Sequence, residues 1–150
     1  MPKMPFETKW YIKNQIVFVR AWGNLSIEDT QDFNHCLDQY IQEGVQEYVE
    51  MGISDGEVHF LQDGREIGSV PTSMTQLQKT LKVASNIGCG RIISISRPRS
   101  KVAFMINNLV MSVMQMQFKR VNTVEEAIAF LKDADPNINW DNADESVLPG

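Results

Sequence analysis

Residues 69–78 read SVPTSMTQLQ: a proline, two hydroxyls at Thr72 and Ser73, and then the start of a helical pattern. Two chemistries suit a hydroxyl there. Ser73 followed by Gln76 fits a capping box, in which the side chain satisfies a free N–H at a helix start. Loss of such a cap costs about 1 kcal/mol. The same position also suits a phosphate, because a helix N-terminus offers N–H groups and the positive end of the dipole. Thr72 shares both roles. The second candidate is the loop Arg97-Pro98-Arg99-Ser100-Lys101, which sets three cations among five residues of a chain whose net charge is −5. Arginines pair with phosphate or carboxylate through a planar fork, whereas a short charge run is also the ordinary composition of a solvated loop.

The third candidate is a surface. Residues 102–117 carry no charge and repeat at helical spacing. Val102, Ile106, Leu109, Val110 and Val113 form one stripe, and Phe104, Asn108, Met111, Ser112 and Gln115 lie off it. A helix apolar nearly all round is buried or covered, and methionine-rich faces adapt to partners. That helix is therefore expected at a homodimer contact, at another protein contact, or in the core under the end of the chain. It is too short and too polar for a membrane span.

The remaining reactive residues form no recognisable set. His35 sits beside a helical core stripe and His59 inside a strand, neither at a spacing from serine or cysteine that implies a triad. Cys36 and Cys89 stand alone, without the paired spacing of a zinc site. Asp55, Glu57 and Asp63 lack the order of a calcium loop, and neither phosphate-binding glycine motif is present. No catalytic residue, metal or cofactor is assigned. The net negative charge disfavours nucleic acid as a partner. The opening residues lack the apolar core of a signal peptide, and no run suffices for a membrane helix, so a cytoplasmic protein is expected.

The elements that must position these candidates follow from pattern. KWYIKNQIVFVRAW alternates as two strands around Lys13-Asn14-Gln15. In the second strand Ile16, Phe18 and Trp22 point one way and Val17, Val19 and Ala21 the other, so both faces are covered. Ser26 with Asp29 predicts a capped helix whose core stripe is Phe33, Cys36, Leu37, Tyr40, Ile41 and Gly44, with Gly44 as its end or a bend. Residues 45–55 fit either more helix or an irregular connection. Residues 57–63, EVHFLQD, predict a strand stopped by an Asp63-Gly64 turn, followed by a loop to Pro71. Met74, Leu77, Leu81, Ala84 and Ile87 predict a second helix, stopped by Gly-Cys-Gly at 88–90. RIISIS and QFKRV predict strands, and Thr123 with Glu126 caps a closing helix that turns Val124, Ala127, Ile128 and Leu131 inward. The order is β-β-α-β-α-β-α-β-α with about four helices, a mostly parallel sheet with one antiparallel strand. Residues 1–136 form one domain. Residues 137–150 are acidic and turn-rich, and are expected to be a mobile tail anchored by Trp140.

Together, WYIKNQIVFVRAWGNLS, VHFLQD, PTSMTQL, RIISIS and TVEEAIAFLKDADP make residues 8–135 resemble the STAS domain, in its SpoIIAA-like, anti-sigma-factor-antagonist branch, grouped with bacterial STAS/Sec14-type proteins. In that family a strand ends in an aspartate followed by a serine that a partner kinase phosphorylates, which releases the partner. Asp63 resembles the strand-end aspartate, but residues 63–73 read DGREIGSVPTS in place of the motif. The resemblance implies a noncatalytic regulatory module that binds itself as a homodimer or another regulatory protein. Loops after parallel strands gather at the carboxyl edge of the sheet. That edge would collect Asn24, Asp63, Ser73, Arg97, Arg99 and Lys101. The same edge allows a second function, binding of a small anion or a lipid headgroup.

Overall fold

The computed structural model describes residues 5–53, 56–69, 82, 88–96 and 118–148. Within them, β1 (Phe6–Ile12) and β2 (Ile16–Asn24) form the expected hairpin. Its turn is closed by the Gln15 amide donating to the Ile12 carbonyl at 2.9 Å, with Asn14 at φ 66°. Then come α1 (Ile27–Glu50), β3 (Val58–Ser69), β4 (Cys89–Ile95), β5 (Phe118–Val121) and α2 (Val124–Ala134). The five strands form one sheet in sequence order, β1-β2-β3-β4-β5. The β1–β2 pair is antiparallel and the other three are parallel. Of the helix expected around 74–87 only Lys82 is described, in helical conformation, and the helix expected at 102–117 lies outside the described residues.

The alternation in β2 separates two cores. Ile16 and Phe18 join Tyr11, Leu61, Ile93, Ile95 and Val121 beneath Val124, Ala127 and Leu131 of α2. Val17 and Val19 join Val58, Phe60, Cys89 and Ile92 beneath Leu37 and Ile41 of α1. Each of the Val, Leu, Ile and Phe side chains, fully buried, contributes about 1.5–3 kcal/mol, so both faces of the sheet stabilise the fold.

Several elements differ from the sequence expectation. Gly44 does not end α1, which runs on to Glu50. The glycine is buried inside the helix because a Cβ there would collide with Val58 Cγ2 and press on the Asn14 carbonyl. Gly52 ends the helix instead. At φ 79° it lets Ile53 N–H reach the Tyr48 carbonyl at 2.8 Å while its own N–H reaches Val49, a Schellman motif. The stretch left open at 45–55 is thus helical through Glu50.

Asp63-Gly64 is not a turn. β3 runs on to Ser69, with Glu66 and Ile67 still in register with Trp22 and Gly23. Gly64 and Arg65 face the single Ala21, so the two residues after Asp63 make a bulge. Cys89 is a buried residue of β4 rather than part of a turn. Thr123 caps α2 by accepting from Glu126 N–H, but Glu126 accepts from Asn122 N–H, one residue outside the expected box.

Residues 137–148 have more anchors than Trp140. They form two short 3-10 turns, Trp140–Asn142 and Glu145–Val147. Ile138 is buried in the α2-side core, where Trp140, Ala143, Val147 and Leu148 also pack.

Candidate functional site

The carboxyl edge of the parallel strands is built as the topology requires. β2 ends at Asn24, two residues before the α1 cap Ser26, and β5 ends at Val121, two residues before the α2 cap Thr123. Both helix N-termini are already compensated. Ser26 Oγ accepts from Asp29 N–H at 3.1 Å, and the Asp29 carboxylate accepts from Ser26 N–H at 2.8 Å. Glu28, Asp29, Glu125 and Glu126 place acids in the two first turns. The chain's own carboxylates thus occupy the positive ends of both dipoles.

Asp63 is the described charged residue most deeply set in this edge. It is buried on the α2 side, level with Arg20 of β2 and Ile95 of β4. The bulge brings Arg65 back over it, so Nε donates to Oδ1 at 2.9 Å and Nη2 to Oδ2 at 2.8 Å. Burial pushes the Asp63 carboxyl up, but the side-chain and backbone hydrogen bonds of Arg65, with the charges of Arg65 and Arg20, outweigh it and hold it below its ordinary value. Arg20 in turn pairs with Glu66 at 2.7 Å. At the β4–β5 end, Arg120 donates to the Ser96 hydroxyl and carbonyl, and to Asn122.

Of the residues singled out in the sequence, the structure describes Asp63 and Asn24 and does not bring them together. Asn24 pairs with Ser69, whereas Asp63 pairs with Arg20, four residues back along β2, a separation on the order of 13 Å at about 3.3 Å per residue. Thr72, Ser73, Arg97, Arg99 and Lys101 lie outside the described residues, as do Phe104, Asn108, Met111, Ser112 and Gln115. Arg65, Arg120 and Ser96 are the partners that sequence analysis did not single out.

His59 belongs to the opposite, amino edge. It is 2 % exposed, and both ring nitrogens are engaged. Nδ1 accepts from Arg91 N–H at 2.8 Å, which leaves the proton on Nε2, donated to Asp135 Oδ2 at 2.8 Å. Gly90 makes room for the ring, since a Cβ there would strike it. A histidine with both nitrogens satisfied inside the protein pins α2 to the sheet; it has no nitrogen left for a substrate. His35 is exposed on α1 beside Gln39. Burial, then the charge of Asp32, push the Cys36 thiol up, away from the nucleophilic thiolate.

No sequence-family model and no curated protein matches the chain. Among solved structures it is similar to an uncharacterized protein of the DUF3478 family with a SpoIIAA-like fold from Shewanella loihica PV-4. That match has a TM-score of 0.55 and 16% identity, covering 87% of this chain and 97% of that one. The fold is SpoIIAA-like. A further similar structure is the anti-sigma factor antagonist SpoIIAA in its unphosphorylated form, at TM-score 0.46 and 15% identity over 85% of this chain and 97% of that one.

In this SpoIIAA-like domain Asp63 is paired with Arg65, Arg20 with Glu66 and His59 with Asp135. No group of three His, Cys, Asp or Glu side chains among the described residues is placed to hold a metal. No helix among them is long and apolar enough to cross a membrane.

Proposed function

We propose that the protein is a noncatalytic regulatory module that acts by binding a protein partner or a second copy of itself. The observation that carries this is that the buried ionisable side chains of the described residues are engaged within the domain: Asp63 is held by Arg65, and His59 by Asp135 and the Arg91 amide. Such groups build a rigid scaffold and leave recognition to its surfaces. The carboxyl edge is the proposed regulatory face. There, Thr72 and Ser73 follow β3, and Arg97, Arg99 and Lys101 follow β4. The uncharged stretch 102–117 is the proposed contact surface.

Native mass spectrometry and sedimentation of protein purified from its own host test this reading. The expected result is a homodimer at micromolar concentration or a co-purifying protein, with any phosphate mapping to Thr72 or Ser73. A monomer carrying a stoichiometric small molecule would overturn it.

A further inference from the structure

The end of the described chain packs as neither α-helix nor strand, yet it is tied to one place. Residues 137–148 cross the α2-side face along the edge strand β1. Gln15 grips the start, donating to the Asn137 carbonyl and accepting from Asn139 N–H at 2.9 Å. The β1–β2 register skips Tyr11, and the Tyr11 carbonyl accepts from Asp144 N–H at 2.8 Å. The Tyr11 hydroxyl donates to Glu145 at 3.2 Å. Apolar anchors lie between these tethers: Ile138 is buried, and Trp140, Ala143, Val147 and Leu148 are partly buried.

Opposite charge borders part of the segment, near Lys132 and Lys9. The segment carries Asp141, Asp144 and Glu145 and no cation. Around it stand Lys132, whose ammonium lies 5.1 Å from the Trp140 ring centre, and Lys9 and Arg20, which line a pocket with Glu7, Val147 and Leu148; Arg20 is also paired with Glu66, and the pocket that Asn137 and Asn139 share with Lys13 carries Glu47, Glu57 and Asp135 as well. Main-chain hydrogen bonds to an edge strand, side-chain anchors and opposite charge are how short extended peptides bind folded domains.

We propose that this face is a docking groove for an acidic peptide bearing an aromatic and several aliphatic anchors, and that residues 137–148 occupy it as an intramolecular stand-in. The proposal rests on the partner-binding reading above and names the chemistry of one partner. The argument for that occupant is the segment itself, since a surface that seats it in cis accepts the same chemistry in trans. A tethered segment competes at an effective concentration on the order of millimolar. Free partner peptide therefore meets a site already filled, and binds only as the strap opens.

The test is fluorescence anisotropy of a labelled peptide of sequence 137–148, added to the full-length wild type and to full-length Ile138→Ser/Trp140→Ser. Release of the strap is expected to tighten peptide binding about tenfold or more, against the millimolar competition. Lys9→Glu with Lys132→Glu, added to the released variant, is expected to weaken it about tenfold. A folded released variant that binds no better than wild type would overturn the proposal. Hydrogen exchange on the wild type keeps the test independent of that variant. The Asn139 and Asp144 amides are expected to exchange faster than those of β2, by local opening; exchange of both only through global unfolding would overturn the strap. Wild-type dimers that dissociate on adding the peptide would assign the groove to exchange of the segment between copies, overturning a foreign occupant. A peptide that fails while native masses still show a partner sinks this inference alone; loss of both sinks the functional reading.

Discussion

The two faces of the sheet are built from alternate residues of the same strands, yet they are closed differently. Among the described residues, one is covered by α1, which inserts Leu37 and Ile41 and lets Gly44 approach Val58. Among the same residues, the other is covered by α2 and the irregular segment 137–148, tied through Tyr11 and Gln15. A regular helix presents a fixed stripe and packs closely along its length. A segment of 3-10 turns supplies isolated anchors and tethers, each of which opens at a lower cost. The α1 face is therefore expected to carry global stability, and the second face to carry local opening and sensitivity to pH.

The largest effect expected is on the α1 face. Phe60→Ala should lower stability by about 3–5 kcal/mol in urea unfolding, whereas Ile138→Ala should cost about 2 kcal/mol or less because the segment can lift away. Equal losses would break the contrast. Next, Gly44→Ala should destabilise by about 1–2 kcal/mol, because overpacking against Val58 costs more than the roughly 1 kcal/mol of helix propensity that alanine contributes. A stabilised variant would show that α1 has room to shift.

Smaller effects follow from titration on the second face. The Asp63 carboxyl is held below its ordinary value of 3.8 in the folded chain. It therefore contributes stability that is present above that value and is lost as pH falls below it. Asp63→Asn should flatten this acid limb in urea midpoints measured across pH. A limb of unchanged slope would assign acid sensitivity elsewhere. Tyr11 is raised from 10.0 to about 12, first by burial and then by the charge and hydrogen bond of Glu145. Its contribution is complete below pH 10 and is lost as pH climbs from 10.0 towards about 12. Tyr11→Phe should remove that alkaline slope while leaving the α1 face unchanged, and amide exchange at Asp144 would show whether the strap loosens with it.

What could be read in advance tracks the same contrast. The hairpin, the double-sided β2, the Ser26 cap and the inward face of α2 were legible because each is a periodic pattern closed by local hydrogen bonds. Asp63-Gly64 misled because its turn chemistry was absorbed by a bulge. The deciding interactions there are Arg65 folding back on Asp63 and the continued pairing of Glu66 with Trp22, and the second spans the sheet. Gly44 and Gly52 look alike in sequence. Only the proximity of Val58 separates the glycine that admits a neighbour from the one that ends the helix.

The sequence by itself determined the alternating strands, the caps, the two apolar faces of the sheet and the acidic character of the final segment, because these depend on neighbours a few residues apart. Tertiary structure alone decided that His59 meets Asp135, that Asn24 and Asp63 stand apart, and that Tyr11 holds Asp144 and Glu145. Those contacts join residues with no shared local pattern; they form only once the two cores have brought distant strands and helices into place.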